Sequence, residues 1–270
     1  MKELKVKETI FAPGRPKIAV PITGTTPEQI IEECEKAAQM PCDVIEWRAD
    51  FYLAALQNLD EALCSKETYV DFIKILDDIN YIAGSKPVIF TLRSKKQGGE
   101  IELTDAQNES LCIFVAQSQL ADFIDIELFD ENHKVDEVKL LNQVNQIKQH
   151  GVKVILSFHD FEGMPEPKDM VGLAKMMVQL GADIGKIAVM TKTEDEAKLL
   201  LKVASHLTNS GIGPIITIGL GEAGKPTRVI GGRYGSCITF AAGNKASAPG
   251  QVDVLTMVNW LNKYYGANAQ

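Results

Sequence analysis

A chain of 270 residues with 45% hydrophobic content can bury a large core, and its length suits one α/β barrel domain spanning residues 1–270. The formal net charge is −8 with no block of like charge, which argues against nucleic acid and anionic membrane surfaces as partners. No apolar run approaches the roughly 20 residues of a membrane span, and residues 1–16 lack the apolar centre of a secretory signal. The five cysteines are odd in number and have no Cys-x-x-Cys spacing. They read as buried small hydrophobes in a reducing cytoplasm rather than as a disulfide framework.

After a charged opening that suits a small hairpin (4–8 and 10–12), strand and helix signals alternate. Residues 17–23 read as the first strand, and 27–38 as a helix with Thr26 at its N-cap. Strands follow at 43–48, 87–93, 123–128, 152–158, 183–190, 214–220 and 236–240. Helices fall at 66–82, 104–117, 135–150, 168–180, 193–207 and 252–264, with Gly151 and Gly181 at the C′ positions of two of them. Eight βα repeats in this length predict a closed (β/α)8 TIM barrel with a short N-terminal β-hairpin (1–16) closing its bottom. No Gly-x-Gly-x-x-Gly follows the first strand, so a dinucleotide fold is disfavoured.

The strand at 183–190 contains a lysine inside an apolar run. Side-chain alternation puts Lys186, Ala188 and Met190 on one face and Ile187 and Val189 on the other. An isolated buried ammonium finds an anion or gives up its proton. Other strands also carry ionisable groups toward their C-terminal ends, where barrels keep their active sites. Glu46 and Arg48 lie two apart, as do Asp125 and Glu127. Arg93 ends one strand and His159 follows another. Each has a plain structural reading: Glu46 with Arg48 as a cross-lumen pair, Asp125 and Glu127 as neutralisers of arginine, His159 as a satisfied core histidine. Their convergence favours a reaction centre, since buried ion pairs seldom stabilise more than apolar packing does. His133, His150 and His206 fall in loops or helices and read as surface residues.

A lysine desolvated near arginines keeps part of its population as free amine, which forms Schiff bases with ketones and aldehydes. His159 is suited to moving a proton beside such an imine. Arg48, Arg93 and Arg228 offer planar forks for a carboxylate. No metal-ligand spacing is present, so no metal or other cofactor is expected. The glycine-rich run 219–228 lies where many barrels bind phosphate, which leaves a class I aldolase acting on a phosphorylated sugar as an alternative, and a flexible lid as another reading of the same run.

Several motifs occur in one order: Glu46-Trp47-Arg48, Phe90-Thr91-Leu92-Arg93-Ser94 followed by Gly98-Gly99-Glu100, Asp125-Ile126-Glu127-Leu128, Ser157-Phe158-His159-Asp160-Phe161, the Lys186 strand, and Ala246-Ser247-Ala248-Pro249-Gly250-Gln251. In this the chain resembles the type I 3-dehydroquinate dehydratases over essentially its whole length. The resemblance implies a shikimate-pathway lyase that dehydrates 3-dehydroquinate to 3-dehydroshikimate, cytoplasmic and commonly a homodimer. It implies Lys186 as the imine-forming residue, His159 as general acid and base, and Glu46, Arg48, Arg93, Arg228, Ser247 and Gln251 as substrate-binding residues. A loop from Ser247 to Gln251 would close over the ligand, and Phe240 would line the pocket. Three positions depart from the family pattern. Gln97 replaces a glutamate that orients the histidine, so Asp125 is expected to become the main electrostatic partner of His159. Pro21 replaces a serine, and Ile218 with Leu220 replace methionines. If the change at Gln97 marks lost activity, a non-catalytic binding barrel is a further alternative.

Overall fold

A computed structural model describes residues 3–243 and 247–267. Ala246 of the last motif, the first two residues of the hairpin segment and the last three residues of the chain lie outside them. The strands are β1 (Leu4–Val6), β2 (Thr9–Phe11), β3 (Lys17–Ile22), β4 (Val44–Arg48), β5 (Val88–Thr91), β6 (Phe123–Glu127), β7 (Lys153–Asp160), β8 (Ile184–Met190), β9 (Ile215–Leu220) and β10 (Ile238–Phe240). The helices are α1 (Pro27–Gln39), α2 (Ala49–Ala54), α3 (Leu59–Cys64), α4 (Lys66–Ala83), α5 (Asp105–Ser118), α6 (Glu137–Gln149), α7 (Pro167–Gln179), α8 (Glu194–Asn209), α9 (Lys225–Ile230) and α10 (Val254–Tyr265).

Strands β3 to β10 form one parallel sheet in the order β10-β3-β4-β5-β6-β7-β8-β9. The ring closes between β9 and β10 through a bridge at Ile215 and Ser236 and a 2.8 Å bond from the Cys237 N–H to the Ile215 carbonyl. This is the expected (β/α)8 TIM barrel. Strands β1 and β2 make the predicted antiparallel hairpin. Its Val6 and Phe11 are buried with Ala19, Val44, Ile89, Phe123 and Ile155 under the N-terminal ends of the strands. The rings of Phe11 and Phe123 meet edge-on at 5.3 Å.

Local chemistry explains the element ends. Thr26 caps α1 by accepting from the Gln29 N–H, and Thr104 makes a capping box with Gln107 at the start of α5. Asp136, Thr193 and Asp253 cap α6, α8 and α10 in the same way, which starts each helix one or two residues later than its predicted range. Glycines 151 and 181 have φ of +82° and +89° just past α6 and α7. The short helices α2, α3 and α9 were not anticipated, being too brief to show a 3.6-residue period. Strand β7 runs two residues further than its pattern implied, so His159 and Asp160 sit in the sheet. Strand β5 ends earlier, at Thr91, because Arg93 turns inward to meet carboxylates on β6. Four cysteines are buried as expected. Cys64, at the end of α3, is exposed instead, because that short helix buries only Leu63.

Alternation along the strands sorts the interior by height. Val44, Ile89, Phe123, Ile155, Ile184 and Ile216 fill the lower lumen with apolar side chains. One step up the same faces come Glu46, Thr91, Asp125, Ser157 and Lys186, all buried. Ile187 and Val189 point the other way, into the layer under the helices, as their alternation with Lys186 predicts.

Candidate active site

Lys186 is 5% exposed and its Nζ lies 2.9 Å from Oδ2 of Asp125. The apolar side of the same pocket is the aromatic ring of Phe240, whose centroid is 4.6 Å from Nζ. Asp125 also meets the guanidinium of Arg93, at 2.9 Å from Nη2 to Oδ1, and accepts the Ser157 hydroxyl at 2.6 Å. Burial would raise the Asp125 carboxyl, but Arg93, Lys186 and, less strongly, His159 outweigh it and hold the group well below the usual carboxylate range. Arg93 in turn contacts Glu127 at 3.1 Å and Ser157 at 3.0 Å. Burial disfavours its charge, yet Asp125, Glu127 and Glu46 together keep the guanidinium above its ordinary value.

Arg48 is likewise committed. Its Nε and Nη2 both reach the Asp50 carboxylate at 2.8 Å, a two-point pair at the start of α2. The structural pairing of Glu46 with Arg48 considered from sequence does not form; Glu46 accepts the Thr91 hydroxyl at 2.9 Å instead. Asp125 and Glu127 do neutralise an arginine, and it is one and the same, Arg93.

His159 is drawn well below its ordinary value, first by burial and then by the positive charges of Arg93 and Lys186, with Asp125 opposing them. Its hydrogen-bonding neighbour is Gln97, whose Oε1 accepts the His159 backbone N–H at 2.9 Å and lies 3.2 Å from Nδ1. Asp125 was expected to become the main partner of His159. It acts on the ring only through its charge, because its oxygens are taken by Lys186, Arg93 and Ser157. Gln97 reaches the ring from the turn at Lys95–Gln97. Gly98 follows at φ +83° and packs on the Phe161 ring so closely that a Cβ there would overlap it.

Arg228 differs from the other two arginines. It lies on α9, and its Nη2 donates to the Pro249 carbonyl at 2.9 Å and its Nη1 to the Phe240 carbonyl at 3.4 Å. No carboxylate meets it among the described residues, its Nε has no partner, and burial alone pulls it down to about 10. The glycine-rich run before it is not open to a phosphate through Gly219. That amide is held at 2.8 Å by the Thr227 hydroxyl, which itself donates to the Gly224 carbonyl. Over this side of the cleft, Gln251 accepts the Ser247 N–H at 2.7 Å through Oε1. Gly250, at φ +78°, sits on Gly221, where an added Cβ would meet the carbonyl oxygen at 2.5 Å.

These side chains share one narrow cleft at the C-terminal mouth of the barrel. Glu46, Arg48, Arg93, Gln97, His159 and Lys186 form one wall. Ile218, Leu220, Arg228, Phe240, Ser247 and Gln251 form the other. Asp125 alone of the predicted site residues does not line it, lying beneath as the partner of Lys186. The free volume is about 50 Å³, well short of the roughly 300 Å³ at which ligand pockets usually begin. Gln251 and Ser247, bonded to each other, both line this narrow cleft. Ala188 also lines it, on the face it was expected to share with Lys186; Gly98, Phe161 and Ala248 line it too and were not anticipated. All three stood in the quoted motifs, but nothing in their residue types marked them as lining. Among the described residues no three His, Cys, Asp or Glu side chains gather as metal ligands, and no helix is long and apolar enough to cross a membrane.

The family model of type I 3-dehydroquinase matches residues 18–268. The chain belongs to this family. Relatives in it include the 3-dehydroquinate dehydratase of Alkaliphilus oremlandii, 38% identical over 267 residues and covering 97% of this chain and 98% of its own. That of Listeria welshimeri is 36% identical, covering 94% of each chain. Among solved structures, the type I 3-dehydroquinate dehydratase of Clostridium difficile with covalently modified comenic acid superposes with a TM-score of 0.86 at 31% identity, covering 98% of both chains. The chain is therefore an enzyme of a hydro-lyase family, and each wall of its cleft carries residues the motif resemblance had singled out.

Proposed function

We propose that this chain, acting as one barrel domain, dehydrates 3-dehydroquinate to 3-dehydroshikimate through a Schiff base on Lys186. The observation that carries the reading is Lys186 itself: a primary amine buried in a cleft beside an imidazole, with Asp125 holding Nζ in place at 2.9 Å. In its unprotonated form the amine adds to the substrate ketone, and loss of water leaves an imine that acts as an electron sink. His159 removes a proton from the neighbouring carbon, giving an enamine. The enamine expels the β-hydroxyl, which takes the proton back from His159 and leaves as water. Hydrolysis of the conjugated imine releases the enone and restores Lys186. Arg228, the guanidinium without a carboxylate, is the anchor for the substrate's own carboxylate. Glu46 and Arg48 hold its hydroxyls, and the Ser247–Gln251 loop closes on it.

The same reading puts the enzyme in the shikimate pathway, in the cytoplasm, as a homodimer needing no cofactor and no nucleic acid. The names of the relatives and the net charge of −8 support it. Borohydride reduction in the presence of 3-dehydroquinate tests the central step. The expected product is an irreversible mass increase on the peptide bearing Lys186. An adduct elsewhere, or none while the ultraviolet absorbance of the enone still grows, contradicts the mechanism.

A further inference from the structure

A histidine that is to take a proton must keep one ring nitrogen free, and Gln97 determines which. Its Oε1 faces the backbone N–H and Nδ1 of His159, at 2.9 and 3.2 Å. Its Nε2 donates to Oε2 of Glu127 at 2.9 Å. The two ends of an amide are distinguished by their partners. Here each end has a partner of one kind only: a carboxylate paired with arginine accepts, and a backbone N–H donates. Gln97 cannot be turned around without facing donor to donor and acceptor to acceptor. Its oxygen therefore lies against Nδ1, which must carry the hydrogen, and the lone pair falls to Nε2 on the ring's opposite edge.

Glu127 is the fixed end of this chain. Oε1 accepts from Arg93 at 3.1 Å and from the Ser94 N–H at 2.9 Å, and Oε2 accepts the Ser94 hydroxyl at 2.7 Å. The turn that carries Gln97 begins at Ser94, so one carboxylate anchors both the turn and the amide at its tip. We propose that Glu127 is a positioning residue for the dehydration, acting through the Gln97 amide to hold His159 as the Nδ1–H form with Nε2 free to serve as the base.

The charged groups around the ring fit this arrangement. Arg93 after β5, Lys186 on β8 and Arg48 on β4 disfavour its cationic form, Asp125 on β6 favours it, and Glu127 is kept one amide away. A neutral amide fixes the ring's orientation without bringing an anion into contact with it.

The inference rests on the dehydratase reading, and its tests separate the two. If wild-type protein does not turn over 3-dehydroquinate, the functional reading fails. The tautomer itself is read without activity, from long-range proton–nitrogen correlations of the His159 ring. A hydrogen on Nδ1 is expected, and a hydrogen on Nε2 overturns the proposal. In turnover, Glu127→Gln is expected to lower kcat about 10- to 100-fold with KM unchanged, short of the loss of about 10⁴-fold that a fully mis-set catalytic histidine can show. Gln97→Glu alone restores the glutamate of the family pattern and takes Glu127 out of the link; it is expected to keep kcat while its acid limb moves to higher pH. Combining Gln97→Glu with Glu127→Gln reverses the polarity of the link, with a carboxylate accepting from His159 and an amide donating to it. The double variant is expected to recover most of the kcat lost in Glu127→Gln. Its acid limb should move to higher pH, since an anion now touches the ring. Strictly additive losses, or an unmoved limb, overturn the relay and leave Glu127 as a partner of Arg93 only. Should Glu127→Gln not fold, Gln97→Met removes both amide bonds without touching Arg93, and wild-type kcat in that variant also overturns the relay.

Discussion

On the β4–β8 side of the cleft every cation of the wall has an anion: Lys186 and Arg93 share Asp125, Arg93 also meets Glu127, and Arg48 has Asp50. On the opposite side Arg228 is at least as deeply buried and, among the described residues, meets only carbonyl oxygens. The first wall is electrostatically complete before any ligand arrives, so its charges position groups rather than wait for them. The second leaves a desolvated guanidinium unpaired, which is costly in an empty site and repaid by a ligand carboxylate. In the proposed mechanism the chemistry falls to the first wall, and the substrate's carboxylate is left to the second.

The largest effects are expected where the complete wall does the chemistry. Lys186→Ala removes the nucleophile and is expected to abolish turnover through the imine, with no borohydride adduct formed. His159→Ala retains the amine and is expected to lose about 10²–10⁴-fold in kcat, the usual contribution of an acid–base group, while some imine remains trappable. Near-normal turnover in either variant breaks the assignment of this wall to chemistry.

The arginines give the comparison its sharpest form. Arg93→Ala leaves Asp125 short of one cation and Glu127 without its guanidinium, and is expected to cost about 3–5 kcal/mol of stability, as removal of one partner from a buried pair does. Arg228→Ala breaks no ion pair. It is expected to leave the thermal midpoint nearly unchanged and to weaken substrate binding by about 1.5–3 kcal/mol, the value of a hydrogen bond to a charged group, read as a roughly 10- to 150-fold rise in KM. Thermal melts and Michaelis curves on the two variants suffice. A rise in KM without destabilisation for Arg93→Ala, or the reverse pattern for Arg228→Ala, inverts the division.

Much of this division was legible in the residues, and the part that was not has a physical reason. Period-2 alternation put Lys186 on the face shared by Ala188, and spacing put Asp125 beside Glu127. A lysine in an apolar strand called for an anion without naming it. Which carboxylate answers depends on the stagger of neighbouring strands, since Thr91 pairs with Asp125 and Ser157 with Lys186 in register. Arg93 was expected to bind substrate from its type and from its place in the motif; that its fork also meets two carboxylates follows from the inward turn after β5, which no local pattern shows. Gln97 was noticed as a missing charge. Its partner Glu127 lies 30 residues away, a link no local pattern carries.

The smallest effect concerns pH. His159 is held well below the ordinary imidazole value of 6.5, chiefly by burial and next by Arg93 and Lys186. Below 6.5 the unfolded chain takes up a proton at this position that the folded chain refuses. The unfolded state then binds more protons, so this group's contribution to stability is complete above 6.5 and is lost as pH falls below it. In the proposed mechanism activity follows the same sign, because there the unprotonated ring is the base. The acid limb of kcat/KM is expected below 6.5, with the enzyme still active at pH values where a free imidazole is mostly charged. A limb at or above 6.5 would mean that a negative charge governs the ring after all, and that the complete wall is less evenly balanced than its ion pairs imply. Arg228→Lys should leave that limb where it is, since Arg228 is not among the main charges acting on His159. A shift in that variant would couple the two walls that the arginine comparison keeps apart.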